Sequence, residues 1–449
     1  MQIGRKDLLW NYAATFFQIG AGVILLPFIL RAFPQETVAI WTIFLTIITL
    51  GAMLDFGFNP TFTRTVSYVV SGVKELKKTG YEIIENRKTE TEIDYSLFKG
   101  LINAMKWFYK RVAIILFIFL TTLGTYYMYA VLKSYSGNHT EVYISWAILC
   151  IINSYSLYTL YYDSLMQGQG FIMRAKQIQV IAQAIYLFVA IILILLKFNL
   201  IAIVSAQTFS IVIRRILSYR TIYTAEFKRH FNNIIAQTRS NVIKSIYPNA
   251  IKLGITGLGA FLLNRSTVVI GSLYLSLNEI AAYGISIQIT GIISAIATVY
   301  YATYQPKIAQ LRIYDDKDSI KYLYLKGCFL LFSTFVVGGL GLILFGNWGL
   351  MIIKSQTPLL HTLPLVIILV TSLLETNHAY AGGILLTKNE VPFFKAAIIS
   401  GSCVFIGLIL VFKYTDFGLL GMLLVPLLIN ISYQSWKWPW EVIKQLKII

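Results

Sequence analysis

Residues 247–273 read YPNAIKLGITGLGAFLLNRSTVVIGSL, an apolar stretch that begins just past the middle of the chain. As a helix, a stretch of this length crosses the hydrocarbon core of a bilayer, which is about 30 Å thick. The stretch contains Arg265, the one basic residue with long apolar sequence on both sides. A cation at such a depth needs a partner or a role, because its burial costs about 2.5–3.5 kcal/mol or more.

The composition of the whole chain is that of an integral membrane protein. Of the 449 residues, 57% are hydrophobic and 13% are charged, whereas soluble domains carry about 25% charged residues. Apolar runs recur along the chain and predict twelve spans, at 8–30, 37–58, 107–132, 143–166, 178–196, 201–222, 247–273, 280–303, 323–345, 359–386, 394–412 and 418–438. Since lipid offers no hydrogen bonds to the backbone, runs of this length form helices, and the predicted fold is all-α.

The basic residues indicate the orientation of these spans. With a cytoplasmic N-terminus, all but six of the 38 Lys and Arg residues lie in inner loops or at inner helix ends, as the positive-inside rule requires. The exceptions are Arg31, Lys133, Lys197, Lys354 and Lys413 on the outer side, and Arg265 within a span. Both termini are therefore predicted to be cytoplasmic. The net charge of +18 belongs mostly to a membrane face, so we expect lipid contact and no nucleic-acid partner.

The spans fall into two halves of similar layout. Each half has six spans and a long inner connection after its second span, which predicts an N-terminal bundle at 1–222, a cytoplasmic linker at 223–246 and a C-terminal bundle at 247–449. A parallel six-plus-six repeat is a transporter architecture. In the long inner segment 71–106, apolar residues alternate with charges, so we expect parts of it to form amphipathic helices on the inner surface.

Motifs for covalent chemistry or cofactor binding are absent from the sequence. It contains no GxxxxGK[ST] phosphate loop, no GxGxxG after a strand, no HExxH and no GxSxG. The three cysteines, Cys150, Cys328 and Cys403, lie in apolar runs without a pairing pattern. We therefore predict neither an enzyme nor a bound cofactor or metal.

Ionisable residues inside the predicted spans are the candidate functional residues. Arg265 suits a phosphate-bearing anion in a central cavity, or else forms a structural pair with an acid such as Glu375. Glu375 and His378 are three residues apart and share a helix face, so they are candidates to bind and release a coupling proton; a static ion pair is the alternative.

Other polar residues lie at span ends or within spans. Asp55 and Asp163 lie at inner span ends, where Arg64 or Arg174 would neutralise them; a structural pair is favoured over substrate contact, and a gating latch is a further reading. Gln18 and Gln288 either line a wet cavity or join helices, as do the polar residues Asn153, Gln183, Gln207 and Asn430.

Three segments resemble a known family. They are LPFILRAFPQETVAIWTIFLTIITLGAMLDFGFNPTFTR near the N-terminus, LMQGQGFIMRAKQIQ after the fourth span, and FLLNRSTVVIGSLYLSLNEIAAYGISIQI in the centre. Together they resemble the Wzx-type polysaccharide-biosynthesis (O-antigen repeat-unit) flippases, within the multidrug/oligosaccharidyl-lipid/polysaccharide exporter superfamily. The chain differs from many of these relatives at Asn264, where they have an acidic residue before the central arginine.

This resemblance implies a MATE-like fold of two pseudo-symmetric six-helix bundles around a cavity. It implies that an undecaprenyl-diphosphate-linked repeat unit moves from the inner to the outer leaflet of a bacterial inner membrane by alternating access, coupled to an ion gradient as in an antiporter. Arg265, with its neighbour Asn264, would then meet the diphosphate or an acidic sugar. A polysaccharide polymerase and its chain-length machinery are candidate partners.

Two alternatives stay open. A multidrug or small-molecule exporter of the same superfamily would share the layout, although exporters of organic cations need acidic cavity residues. A membrane glycosyltransferase or polymerase would need a large outer loop or a cluster of carboxylates, and the sequence shows neither.

Overall fold

The helices of the computed structural model account for every predicted span. The structure describes all residues except 1–4, 56, 71, 74–92, 233, 237–238, 314–315, 388–391 and 448–449. The helices, in chain order, are α1 (Arg5–Ala32), α2 (Gln35–Met53), α3 (Phe58–Val70), α4 (Tyr95–Phe119), α5 (Thr125–Leu132), α6 (His139–Tyr158), α7 (Tyr161–Gly168), α8 (Ile172–Leu195), α9 (Asn199–Ile222), α10 (Ala225–Asn232), α11 (Arg239–Tyr274), α12 (Leu277–Ile313), α13 (Lys317–Ile352), α14 (Thr362–Leu386), α15 (Phe394–Tyr414), α16 (Gly418–Ile429) and α17 (Ser435–Gln445). The described residues contain no β-strand.

Most of these helices are long and apolar enough to cross a membrane. Among the described residues, nine helical segments pass this test, and the bent pair Gly254–Leu263 and Arg265–Tyr274 makes a tenth. Two shorter apolar helices, Phe16–Ala32 and Gln35–Gly51, overlap the first two predicted spans. The prediction of an all-α membrane protein with about twelve membrane helices is therefore confirmed.

Outward-facing side chains on these helices are strongly apolar. Val337 is 73% exposed, Leu344 68% and Phe188 67%, and many other large apolar residues are exposed on the same helices. Exposed apolar surface of this extent marks a membrane-facing protein. The chain is thus a multi-pass membrane protein, with these side chains in the acyl region of the bilayer.

The chain divides into two compact units, and each is discontinuous in sequence. Unit 1 comprises Met1–Leu25, Ile47–Tyr129 and His139–Gly257. Unit 2 comprises Leu26–Thr46, Ala130–Asn138 and Leu258–Ile449. The division into bundles at 1–222 and 247–449 with a linker at 223–246 stays a prediction.

Close helix packing depends on glycine within each unit. In unit 1, a Cβ on Gly168 of α7 would lie 2.5 Å from the Val66 Cβ of α3. In unit 2, a Cβ on Gly259 of α11 would lie 2.5 Å from the backbone of Ala397 in α15. Small residues at such crossings allow membrane helices to approach closely, where van der Waals packing is the main attraction.

The inner segment before the third membrane helix differs from the sequence prediction. We expected amphipathic surface helices within 71–106, but α4 begins at Tyr95 and runs straight into the membrane span. Leu97, Phe98, Leu101 and Ile102 are buried against protein, so the apolar face of 95–106 packs inside the molecule. Residues 74–92 lie outside the described part of the chain.

Part of the predicted linker packs on this segment. The Phe98 ring contacts the rings of Phe227 and Phe231 of α10, with centroids 5.9 and 5.6 Å apart. The Lys99 Nζ donates hydrogen bonds to the carbonyls of Phe231 and Ile234, at 2.6 and 2.8 Å. A cation at the C-terminal end of a helix satisfies carbonyls that lack intrahelical partners.

Replacing Lys99 with Met removes both hydrogen bonds while keeping an unbranched apolar stem. Hydrogen bonds from a charged donor contribute about 1.5–3 kcal/mol each, so we expect faster amide hydrogen exchange in residues 227–236 and an unchanged helical content. Lys110→Met, which alters an exposed lysine of the same helix, is the matched control. Equal exchange in both variants would show that Lys99 does not anchor the linker.

Candidate functional site

A bend in α11 places Arg265 at a break in its membrane helix. The segments Gly254–Leu263 and Arg265–Tyr274 meet at 43°. The Ser266 hydroxyl donates to the Leu262 carbonyl one turn back, and back-bonding of this kind bends helices. Arg265 is thus the first residue beyond the bend, and its side chain is half-buried.

Four helices of unit 2, α11, α12, α14 and α16, surround a small cavity beside this bend. Its volume is about 40 Å³, which holds a few water molecules, since a single water needs about 10–15 Å³. The polar lining residues are Thr267, Tyr283, Thr371, Ser372 and Glu375, and the apolar ones are Leu263, Ile287, Ile368, Met422, Leu423 and Pro426. The cavity has room for a few water molecules or a small ion in this conformation, and it is too small for a sugar.

Glu375 is the acidic group of this cavity. Its Oε1 accepts a hydrogen bond from the Asn430 Nδ2 at 3.2 Å. Asn430 is fully buried and is the first residue of a π-helical turn, Asn430–Gln434, between α16 and α17. Single π-turns inside α-helices occur often at functional sites. Asn430 therefore fixes the Glu375 carboxylate from a neighbouring helix.

Arg265 and Glu375 attract each other without forming a close ion pair. The Arg265 guanidinium acts electrostatically on both Glu375 and the Tyr283 hydroxyl. The ion pairs within 4.0 Å formed by the described residues do not include Arg265 with Glu375. Tyr283 donates to the Thr267 Oγ1 at 3.1 Å. Arg265 is thus close enough to Glu375 to act on it electrostatically, and the described residues show no ion pair between the two within 4.0 Å.

The other residues predicted for this region lie at different places. His378 lies one turn beyond Glu375 on α14, is half-buried, and is not among the residues that line the cavity. Gln288 lies on α12, and its buried Nε2 has no hydrogen-bond partner among the described residues. Asn264 falls at the bend of α11, and its side chain is outside what the structure describes. The roles assigned to these residues stay predictions.

Gln18 lies in unit 1, where it contacts another glutamine. The Gln179 Nε2 of α8 donates to the Gln18 Oε1 of α1 at 3.2 Å. The sequence left two interpretations of Gln18, that it lines a wet cavity or that it joins helices, and this contact is of the second kind. Whether Gln18 also meets a substrate stays a prediction.

The cations that neutralise Asp163 differ from those expected from the sequence. Asp163 pairs with Arg214 at 3.1 Å and with Arg215 at 3.0 Å, which joins α7 to α9. Arg174 instead donates to Gln177 on its own helix, and Arg64 is exposed. The expectation that Arg64 or Arg174 neutralises Asp163 is therefore wrong. Adjacent basic residues near the end of α9 were the available signal.

Among the residues that the structure describes, Asp55 also lacks the arginine partner expected from the sequence. Its carboxylate accepts hydrogen bonds from the Tyr109 hydroxyl at 2.6 Å and from the Asn59 backbone N–H at 2.9 and 3.1 Å. Both donors are neutral. A gating role for Asp55, Arg64 and Asp163 stays a prediction.

Several cavity residues were not singled out as site residues from the sequence. Thr371 and Ser372 lie four and three residues before Glu375, and both therefore share a face of α14 with it. Three polar residues on one face of an otherwise apolar helix form a sequence pattern from which the cavity could have been predicted. Thr267 and Tyr283 gave no comparable signal, because a single hydroxyl is common on a membrane helix.

Comparison with known proteins identifies the fold. No protein-family profile matches the chain, and no curated protein matches it in sequence. Among solved structures, the chain is similar to an inward-facing multidrug resistance MATE transporter of the MOP superfamily, with a TM-score of 0.61 and 12% identity over 97% of this chain and 95% of that one. It is also similar to the lipid II flippase MurJ in an inward closed conformation, with a TM-score of 0.59 and 14% identity over 98% of this chain and 87% of that one.

A third similar structure is a MOP superfamily transporter from Pyrococcus furiosus described as having a binding pocket of reversed polarity. It aligns with a TM-score of 0.53 and 12% identity, over 98% of this chain and 96% of that one. The predicted MATE-like fold is thus confirmed, and the chain has the architecture of MOP superfamily transporters along nearly its full length.

A double-mutant cycle measures the interaction between Arg265 and Glu375. We expect Arg265→Met and Glu375→Gln to be non-additive by about 0.5–3 kcal/mol, the range for residues that interact directly. The measurement is chemical unfolding of the purified protein in mixed micelles. The control cycle pairs Arg265→Met with Glu441→Gln, since Glu441 is partly exposed and pairs with Lys437 at 3.6 Å. Additive effects in both cycles would contradict the electrostatic contact.

Proposed function

We propose that this protein is a flippase that moves undecaprenyl-diphosphate-linked oligosaccharide repeat units from the inner to the outer leaflet by alternating access. The observation that carries the proposal is Arg265, a cation at the broken point of a membrane helix, beside a polar cavity in a transporter fold. Interrupted membrane helices commonly contribute to substrate sites in transporters. The protein moves its substrate without changing its covalent bonds.

The chemistry of Arg265 favours an anionic substrate. A guanidinium presents paired N–H donors in one plane, which match the oxygens of a phosphate or diphosphate. Within a span, the attraction is stronger than at the surface because the surrounding dielectric is low. Asn264, Gln18 and Gln288 are proposed as further polar contacts of the head group.

The resemblance to lipid-linked transporters supports the substrate class. The lipid II flippase MurJ, whose name specifies a lipid as the substrate, shares the fold at a TM-score of 0.59. An amphiphilic substrate also fits a protein whose exposed helix surfaces are apolar. The cavity of about 40 Å³ must open before it accepts a head group, so substrate entry requires another conformation.

Glu375 and His378 are the proposed ion-coupling residues. A carboxylate beside Arg265 competes with an anionic substrate for the guanidinium. Protonation of Glu375 would weaken that competition, so proton binding at Glu375 and substrate binding at Arg265 are thermodynamically coupled. Asp55, Arg64 and Asp163 are proposed to act in gating on the cytoplasmic side.

The proposed location is a bacterial inner membrane with both termini in the cytoplasm. The sorting of basic residues supports this orientation. A polysaccharide polymerase and chain-length machinery would receive the flipped unit, and membrane lipids surround the helices.

An ion-coupled multidrug or small-molecule exporter of the same fold is the alternative function. The structure that aligns at a TM-score of 0.61 is described as a multidrug resistance transporter. Glu375 in a partly apolar cavity is a feature that an organic cation would prefer. Loss of Arg265 would then favour export, because it removes a repulsive charge.

Disruption of the gene, followed by complementation, separates these functions. We expect loss of surface polysaccharide and accumulation of lipid-linked repeat units on the cytoplasmic side. The wild-type gene should restore export, Arg265→Ala should not, and Arg265→Lys should restore it in part because it keeps the charge without the planar pair of donors. Glycan export is measured by surface labelling, and protein levels by immunoblot.

The outcome that contradicts the flippase proposal is unchanged surface polysaccharide with increased drug sensitivity in the disrupted strain. Full complementation by Arg265→Ala would keep the flippase but remove Arg265 from the substrate site. Lys437→Ala, which alters a partly exposed lysine of α17, is the control for loss of a positive charge.

Glu375→Gln should mimic a carboxyl that is permanently protonated. We expect export that no longer depends on the transmembrane pH gradient, because the variant cannot release a proton. The measurement is uptake of a lipid-linked repeat unit by inverted membrane vesicles, with and without a protonophore. Export by the variant that responds to the protonophore as strongly as wild-type export would exclude Glu375 from coupling.

A further inference from the structure

Asp55 is a buried acid in unit 1 that the proposed transport cycle uses only in a general gating role. It lies in the turn between α2 and α3 and is 8% exposed. Its Oδ1 accepts the Tyr109 hydroxyl hydrogen bond at 2.6 Å, and both carboxylate oxygens accept from the Asn59 N–H. Tyr109, on α4, is fully buried. The carboxylate is therefore held between a backbone donor and a phenol.

Asp55, which is buried, and Asp163, which is largely buried, are compensated differently. Asp163 has two guanidinium partners, Arg214 and Arg215. Among the described residues Asp55 has none, and its partners there are the neutral donors of Tyr109 and Asn59. A buried carboxylate without a cation is costly, and hydrogen bonds from neutral donors offset only part of that cost.

The charged groups on the elements around Asp55 do not supply the missing cation. On α3, Arg64 points to solvent and is exposed. On α4, the group that meets Asp55 is the neutral Tyr109. On α7, Asp163 adds a second negative charge that also acts on Tyr109, while Arg214 and Arg215 of α9 are paired with Asp163. The Asp55 carboxylate is therefore buried without a cation among the described residues, and binding a proton removes the cost of that buried charge.

Tyr109 provides a partner for Asp55 in both protonation states. With ionised Asp55, the Tyr109 O–H donates to Oδ1. With protonated Asp55, the carboxylic O–H donates to the Tyr109 oxygen, because a phenol both donates and accepts. The Ser164 hydroxyl, also fully buried, lies beside Tyr109 and donates to the Asn59 carbonyl at 3.2 Å. The hydrogen-bond chain can thus reverse without moving the helices.

We propose that Asp55 and Tyr109 form a proton-binding site in unit 1, separate from the Glu375 cavity of unit 2. The proton binds to the Asp55 carboxylate and reverses the hydrogen bond to Tyr109. Proton binding at Asp55 does not depend on the identity of the transported substrate. An experiment on this site can therefore fail while the proposed function holds, and the reverse is also true.

Infrared difference spectroscopy of the purified protein in detergent tests this site directly. Acidification should produce a carboxylic C=O band in the wild-type protein, and that band should be missing in Asp55→Asn. Asparagine keeps an oxygen that accepts from Asn59 and Tyr109 and removes only the titrating group. Asp416→Asn, which alters an exposed aspartate, is the matched control and should keep the band.

Tyr109→Phe tests the role of the phenol in a protein that retains Asp55. The variant loses a donor that stabilises the carboxylate, so the C=O band should appear at a pH higher by about one unit. If Asp55→Asn does not fold, as judged by circular dichroism and size-exclusion chromatography, this variant alone decides the proposal.

Either of two results would overturn the proposal. One is a band that persists unchanged in folded Asp55→Asn, which would assign the proton to another carboxyl. The other is an unchanged midpoint in Tyr109→Phe, which would show that the phenol does not take part.

Discussion

The cost of placing charge in a membrane is the constraint on which the rest of this structure depends. An ionised side chain in the acyl region costs about 2.5–3.5 kcal/mol or more, so each such group needs compensation. The chain provides it in three ways. Asp163 has two arginines, Glu375 has the Asn430 amide and the more distant Arg265, and Asp55 has only neutral donors. The degree of compensation falls along this series.

This series suggests a division of roles among the charged groups. A fully compensated acid such as Asp163 holds two helices together and gains little from a ligand. A partly compensated pair such as Arg265 and Glu375 can exchange one partner for another, which a transport cycle requires. The bend of α11 contributes to this arrangement, because Arg265 lies at the bend between Leu263 and Thr267, which both line the cavity.

Membrane topology could be predicted from the sequence because it depends on local quantities. Run length predicts each span, and the positions of Lys and Arg predict orientation. Helices overlap all twelve predicted spans, including the two shorter apolar ones. The start of α4 was not predicted because the alternation of apolar and charged residues around Leu97 and Phe98 has two possible causes. The apolar face can meet lipid head groups, or it can pack on the rings of α10, as it does here.

The partners of the charged groups could not be predicted in the same way. Asp163 and Arg215 are 52 residues apart in sequence, and Asp55 and Tyr109 are 54 apart, so only tertiary packing determines which groups meet. The sequence offered Arg64 and Arg174 as equally plausible partners. The bend at Asn264 and the π-turn at Asn430 depend on hydrogen-bond geometry that no residue pattern specified.

We propose that Arg265 binds the diphosphate of a lipid-linked substrate. The most direct measurement is the affinity of the purified protein for a polyprenyl diphosphate, compared with that of Arg265→Ala and with the uncharged polyprenol. Charged hydrogen bonds of about 1.5–3 kcal/mol predict a loss of affinity of roughly tenfold or more in Arg265→Ala, with little change for the polyprenol. Equal affinity of the wild-type protein and Arg265→Ala for the diphosphate would contradict the claim.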